Sequence, residues 1–165
     1  MTSLYFASVT LHLLAAMLWL GGTFFLAVVG APVLRRVEPA SLRSDLFHRL
    51  GVRFRSVGWI AIGALIVTGI ANLGFRGLLE AETLGSASFW QGRYGRALAW
   101  KLAIVVAMVS LAAAHDFALG PRASRHAPGS LEAVAARRRA AWLARLNAGL
   151  GVALVAVAVR LARGG

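Results

Sequence analysis

Four stretches of this 165-residue chain, approximately 4–31, 57–75, 97–119 and 140–161, are long runs of apolar residues with few charges. Each is of the order of the roughly 20 residues that a helix needs to cross about 30 Å of hydrocarbon. Inside lipid every backbone polar group must be satisfied within the protein, so such runs are expected to be helices, and no strand alternation competes with that expectation. With 59% hydrophobic residues and a mean hydropathy of +0.71, a water-soluble domain of this length could not bury its apolar surface. The expected fold is all-α: a single membrane domain over 1–165, built as an integral membrane four-helix bundle. The N-terminal "MTSLYFASVT" has no positive segment ahead of its apolar run, so it is expected to remain as a membrane anchor, not to be cleaved as a signal peptide.

The connections carry the charge. Between the first two spans, "PASLRSDLFHRLGVRFRS" (39–56) sets Leu42, Leu46, Leu50 and Phe54 four apart among arginines, which predicts a short amphipathic interfacial helix. Residues 76–96 hold several glycines with Phe89 and Trp90 and are expected to form a loop touching the interface. The segment "RHAPGS" (125–130) reads as a turn in which His126 is solvated and Ser130 caps a fourth helix.

Orientation follows from where the basic residues fall. Eleven arginines (35, 36, 43, 49, 53 and 55; 122, 125 and 137–139) lie on the side of the first and third connections, against five (76, 93, 96, 160 and 163) on the other. By the positive-inside rule both basic connections are expected to face the cytoplasm and both termini to face out. The net charge of +12 then points to anionic headgroups on the cytoplasmic side, with membrane lipids and no nucleic acid as partners. A homo-oligomer or a larger membrane complex is also compatible with this pattern.

The polar residues within the spans are few. His12 lies roughly 10 Å inside the outer boundary (1.5 Å of rise per residue) and shares a face with Trp19. Ionisable side chains at such depth are costly, turn inward, and mark a path or a ligand. At similar depth the second span offers Thr68 and Asn72, four apart on one face, and the third span Lys101. Lys101, Met108 and His115 recur at seven-residue spacing and so form one stripe on the third span. A second polar group collects at the cytoplasmic end: His48, His115, Asp116, Arg145 and Asn147. His12 and His115 are about 15 Å apart along the membrane normal by the same rise, too far to share one metal ion through bonds of about 2 Å. His12, His115 and His48 are the candidate metal ligands, and a metal or redox function would have two sites, or one site with a ligand not yet paired. There is no cysteine, hence no disulfide, thiolate ligand or iron–sulfur cluster, and no carboxylate pair, nucleophile–base set, phosphate loop or zinc spacing is present. Glycines for close helix packing stand at 21 and 22, 58 and 63, and 149 and 151.

Taken in order, "LHLLAAMLWLGGTFF" (11–25), "RFRSVGWIAIGALIVTGIANL" (53–73) and "KLAIVVAMVSLAAAHDFALGPR" (101–122) resemble the membrane domain of the copper resistance protein D family, CopD. The resemblance runs across most of the chain. It implies a four-helix bacterial inner-membrane protein concerned with copper uptake or tolerance, with His12 and His115 where the family motifs carry histidine. The framework is also similar, more distantly, to the haem-containing protoporphyrinogen oxidases of the HemJ type, which implies His12, Lys101 and His115 as haem ligands or porphyrin-propionate partners. The chain departs from that group at "APVLRR", where a second histidine would follow the first span and only the distant His48 is found. Three functions stay open at this point: copper handling, b-type haem binding for electron transfer or HemJ-like chemistry, and a non-catalytic accessory subunit. The cofactor is accordingly copper or haem b, and a role other than catalysis is favoured.

Overall fold

The structure, a computed structural model, describes residues 2–119 and 131–164. The turn expected at 125–130, with His126 and Ser130, lies outside the described residues, as do Arg122 and Arg125. Among the described residues the chain is helical throughout its regular structure and has no strand. Four helices are long and apolar enough to cross a membrane: Ser3–Leu34, Ala40–Phe75, Arg93–Ala118 and Ala141–Ala162. Between 11% and 22% of each apolar window is buried inside the protein, so most of its leucine, valine and isoleucine surface is turned outward. That distribution suits a solvent of acyl chains, and the protein is a multi-pass, all-α membrane protein.

The chain divides into two compact units, Met1–Gly85 and Ser86–Gly165. The first unit opens with α1 (Thr2–Phe25), which widens into a π-turn over Leu26–Gly30 and continues as α2 (Ala31–Leu34). The cause of the π-turn is Pro32: it has no N–H for the Val28 carbonyl and its ring crowds that carbonyl, so the helix takes on an extra residue ahead of it.

The basic segment that follows is not a separate helix lying on the membrane surface. Ala40–Phe75 is one uninterrupted helix, α3, of 36 residues. At 1.5 Å per residue it is about 54 Å long, well beyond a hydrocarbon thickness of about 30 Å, so its arginine-bearing first half runs on from the second span. No proline interrupts the junction, Ser56 Oγ bonds the Val52 carbonyl at 3.2 Å within the helix, and Gly58 is held by packing against Trp19. The helix ends in a Schellman motif. Gly77 takes φ +67°, the Leu78 N–H bonds the Leu73 carbonyl at 3.0 Å, and the Gly77 N–H bonds the Gly74 carbonyl at 2.9 Å.

Helices α1 and α3 pack antiparallel along their length. Tyr5 meets Phe75 edge-on at 5.7 Å, His12 meets Thr68, and Trp19, 5% exposed, lies over Gly58. Further along, Gly22 leaves the room that the Phe54 ring occupies. Small residues at these crossings bring the two backbones close, which in lipid supplies most of the attraction between helices.

The expected loop contains two short helices: α4 (Ala81–Gly85) closes the first unit, and α5 (Ala87–Gln91) opens the second, ahead of α6 (Arg93–Ala113). α5 sits on the start of α6 because Gly95 has no side chain: a Cβ there would run into the Phe89 carbonyl. α6 ends in a second π-turn, Ala114–Leu119, and packs along α7 (Leu131–Ala162). Met108 of α6 is wholly buried, and Leu98, Leu154 and Leu161 complete the apolar core of this unit.

The Gly95 contact is with backbone, which cannot give way as a side chain can. Gly95→Ala is expected to destabilise the protein by about 1–3 kcal/mol in a thermal melt in detergent. Gly21→Ala, with nothing within 4 Å of the added methyl, should be neutral or stabilising by up to about 1 kcal/mol.

Candidate functional site

A polar column runs through the α1–α3 contact. At its end near the N-terminus, Arg76 Nε donates to the Tyr5 hydroxyl at 3.1 Å. Level with the next turn, Ser8 Oγ donates to the Thr68 carbonyl at 3.5 Å. Then comes a side-chain contact between the two helices: His12 Nδ1 lies 2.8 Å from Thr68 Oγ1. Thr68 is 5% exposed, the one polar or charged residue in the buried core among the described residues. Its hydroxyl also donates back to the Ala64 carbonyl, at 2.6 Å, with the Leu65 carbonyl farther off at 3.4 Å.

The half-buried imidazole of His12 thus lies against α3 by one edge. Nδ1 is on Thr68, and Cε1 faces Gly69, where an added Cβ would stand 3.5 Å away. One turn from Thr68 along α3, the Oδ1 of Asn72 is buried with no hydrogen-bond partner among the described residues. Two turns further along α1, the Thr23 hydroxyl bonds the Trp19 carbonyl at 2.8 Å, and the buried Trp19 ring closes the column. His12 therefore sits in a narrow polar strip with aromatic groups towards both ends.

The other candidates lie elsewhere. His48 is exposed on α3, twenty residues from Thr68, which sets it about 30 Å along the helix from the His12 contact. In the second unit Lys101 is half-buried on α6, one heptad from the wholly buried Met108, so those two share the packed stripe expected of them. His115, one heptad further on, lies in the π-turn that begins at Ala114, with its side chain 43% exposed. There His115 Nδ1 bonds the Asp116 Oδ1 at 3.1 Å, with Asp116 the more enclosed of the pair at 19%. α7 packs on this turn, and on α7 the Asn147 Oδ1 is buried without a hydrogen-bond partner among the described residues. Among the described residues no three His, Cys, Asp or Glu side chains gather into a metal-holding group.

Depth alone placed His12 and Thr68 at one level. The features that the sequence reading missed are the Tyr5–Arg76 contact, the Ser8 bond and both π-turns. Pro32 signalled the first π-turn; no residue type signalled the second.

Residues 48–161 match the family model described as "Copper resistance protein D", CopD. The chain belongs to the CopD family. That membership makes it a copper-resistance-related membrane protein. The matched region begins within α3 and includes Thr68, Lys101 and His115, while His12 precedes it. A relative from Aquifex aeolicus (strain VF5), carrying the name "Uncharacterized protein", is 29% identical over 155 residues, covering 93% of this chain and 92% of its own length. No solved structure matches the chain.

Proposed function

We propose that this CopD-family chain handles copper in a bacterial inner membrane, passing the ion as cargo through the first unit by way of the His12 imidazole. The observation that supports the reading is the His12–Thr68 contact: an ionisable ring at membrane depth, held by one nitrogen against a buried threonine. Imidazole suits copper, and ionisable groups kept at this depth belong to ligand or ion pathways. A single protein donor is a weak, partial coordination sphere, suited to an ion in transit more than to one held for good. His115, oriented by Asp116, and the exposed His48 are candidates for transient contacts elsewhere on the chain.

A second reading is a b-type haem protein for electron transfer: His12, Lys101 and His115 would be the residues to hold the haem, which would supply one-electron chemistry.

Both termini are proposed to face the periplasm, with the arginine-rich half of α3 at the cytoplasmic leaflet, where Arg53 and its neighbours meet anionic headgroups. Homo-oligomers or a larger membrane complex remain compatible partners of such a protein.

The purified protein in detergent separates the readings. Copper bound in stoichiometric amount by elemental analysis, without visible colour, supports the first; a Soret band that shifts on dithionite supports the second; neither leaves an accessory subunit. His12→Ala is expected to lose about tenfold or more of the affinity for copper, while His48→Ala keeps affinity within a few-fold. Equal retention in both variants removes His12 from the site. Because the chain has no cysteine, Gly164→Cys should react with an impermeant maleimide on intact cells, and Ser44→Cys only after the membrane is opened.

A further inference from the structure

The chain has two asparagines, Asn72 and Asn147. Asn72 lies within the second span, on α3, and its Oδ1 is buried with no hydrogen-bond partner among the described residues. A carbonyl oxygen shut away without a donor is costly, the more so at membrane depth, where acyl chains have none to offer. A second loose contact stands close by. Ser8 Oγ reaches the Thr68 carbonyl at 3.5 Å, well beyond the distance of about 2.7–2.8 Å usual between two hydrogen-bonded oxygens. A polar gap of that size is where a bridging water belongs.

The two features meet at one place. Helical pairing in α3 brings the Asn72 N–H to the Thr68 carbonyl, so Ser8, drawn to that carbonyl from α1, stands level with the turn that Asn72 closes. Side chains on a helix lean towards its N-terminus, which carries the Asn72 carboxamide back over the same turn. Asn72 Oδ1 needs a donor, the Ser8 hydroxyl has one proton to give, and the Thr68 carbonyl has a second lone pair. A water molecule there donates to Asn72 Oδ1 and to the Thr68 carbonyl, and accepts from Ser8 Oγ. Three such bonds are the usual number for a buried water.

We propose that Ser8 and Asn72 hold a bound water in the α1–α3 contact, and that this water makes the Arg76 end of the polar column the hydrated approach to the His12–Thr68 pair. Ser8 precedes His12 by four residues on α1 and Asn72 follows Thr68 by four on α3, so the site adjoins the pair on both helices. On its other side, Tyr5 and Arg76 carry the polar groups out to an exposed contact at the helix ends. The site deepens the copper reading by giving the path an entrance, while the water itself stands whether or not His12 takes copper.

The test uses the full-length protein in detergent micelles with ¹⁵N in its asparagines, the two side-chain amides being assigned by the loss of one in Asn147→Ala. Magnetisation transfer from water should reach the Asn72 amide in the wild type and fall several-fold in Ser8→Ala, which removes one partner of the water. Thr23→Ala, whose lost hydroxyl bonds the Trp19 carbonyl farther along α1, should leave the transfer unchanged. No transfer to Asn72 in the folded wild type overturns the inference, as does full transfer in a folded Ser8→Ala. A thiol measurement covers the case in which Ser8→Ala fails to fold. In this cysteine-free chain Ser8→Cys can be set against Ile70→Cys, a position 54% exposed on α3 and two residues from Asn72. A charged thiol reagent takes a hydrated thiolate and should modify Ser8→Cys at least about tenfold faster; equal rates overturn the proposal. Water at Asn72 in a protein that binds no copper removes the copper reading and leaves this site, and copper bound beside a dry Asn72 does the reverse.

Discussion

In hydrocarbon two helices have no hydrophobic force to draw them together and no water to satisfy a stray polar group. What joins α1 to α3 is therefore close approach at Gly22 and Gly58 together with side-chain hydrogen bonds, His12 with Thr68 among them. Together these contacts turn the greasy flanks at Leu11, Leu14 and Met17 outward and keep His12 on the inner strip.

The His12–Thr68 contact carries a cost that a purely structural pair would not need. Leucine at both positions would pack as well in lipid, and a neutral interhelical hydrogen bond in a membrane contributes only about 0.6 kcal/mol on average. Around the ring, Nδ1 lies against a buried hydroxyl, and that hydroxyl donates its own proton to the Ala64 carbonyl. In the second unit His115 and Asp116 make a different kind of pair, adjacent in sequence, more exposed, and set on a π-turn.

The apolar spans were legible because length and composition alone decide whether a segment can live in lipid. His12, Thr68 and Lys101 could be placed at one depth by counting rise along each helix. That His12 meets Thr68 could not be read in advance, because depth does not fix the angle at which α1 faces α3; the angle is set by Trp19 over Gly58 and by Phe54 in the gap at Gly22. The fate of 39–56 was hidden for a related reason. Its leucines every fourth residue describe an amphipathic helix whichever way its axis runs, and only the unbroken hydrogen bonding through Ser56 and Gly58 aligns it with the span that follows. His115 was placed one heptad from Met108 by a count that could not foresee the π-turn at Ala114.

The unbroken course of α3 has a mechanical consequence. A single helical rod cannot absorb twist at a joint it does not possess. Thr68, under the His12 ring, and Arg49 and Arg53, some 20–30 Å away (1.5 Å for each intervening residue), therefore belong to one shaft with no hinge in between.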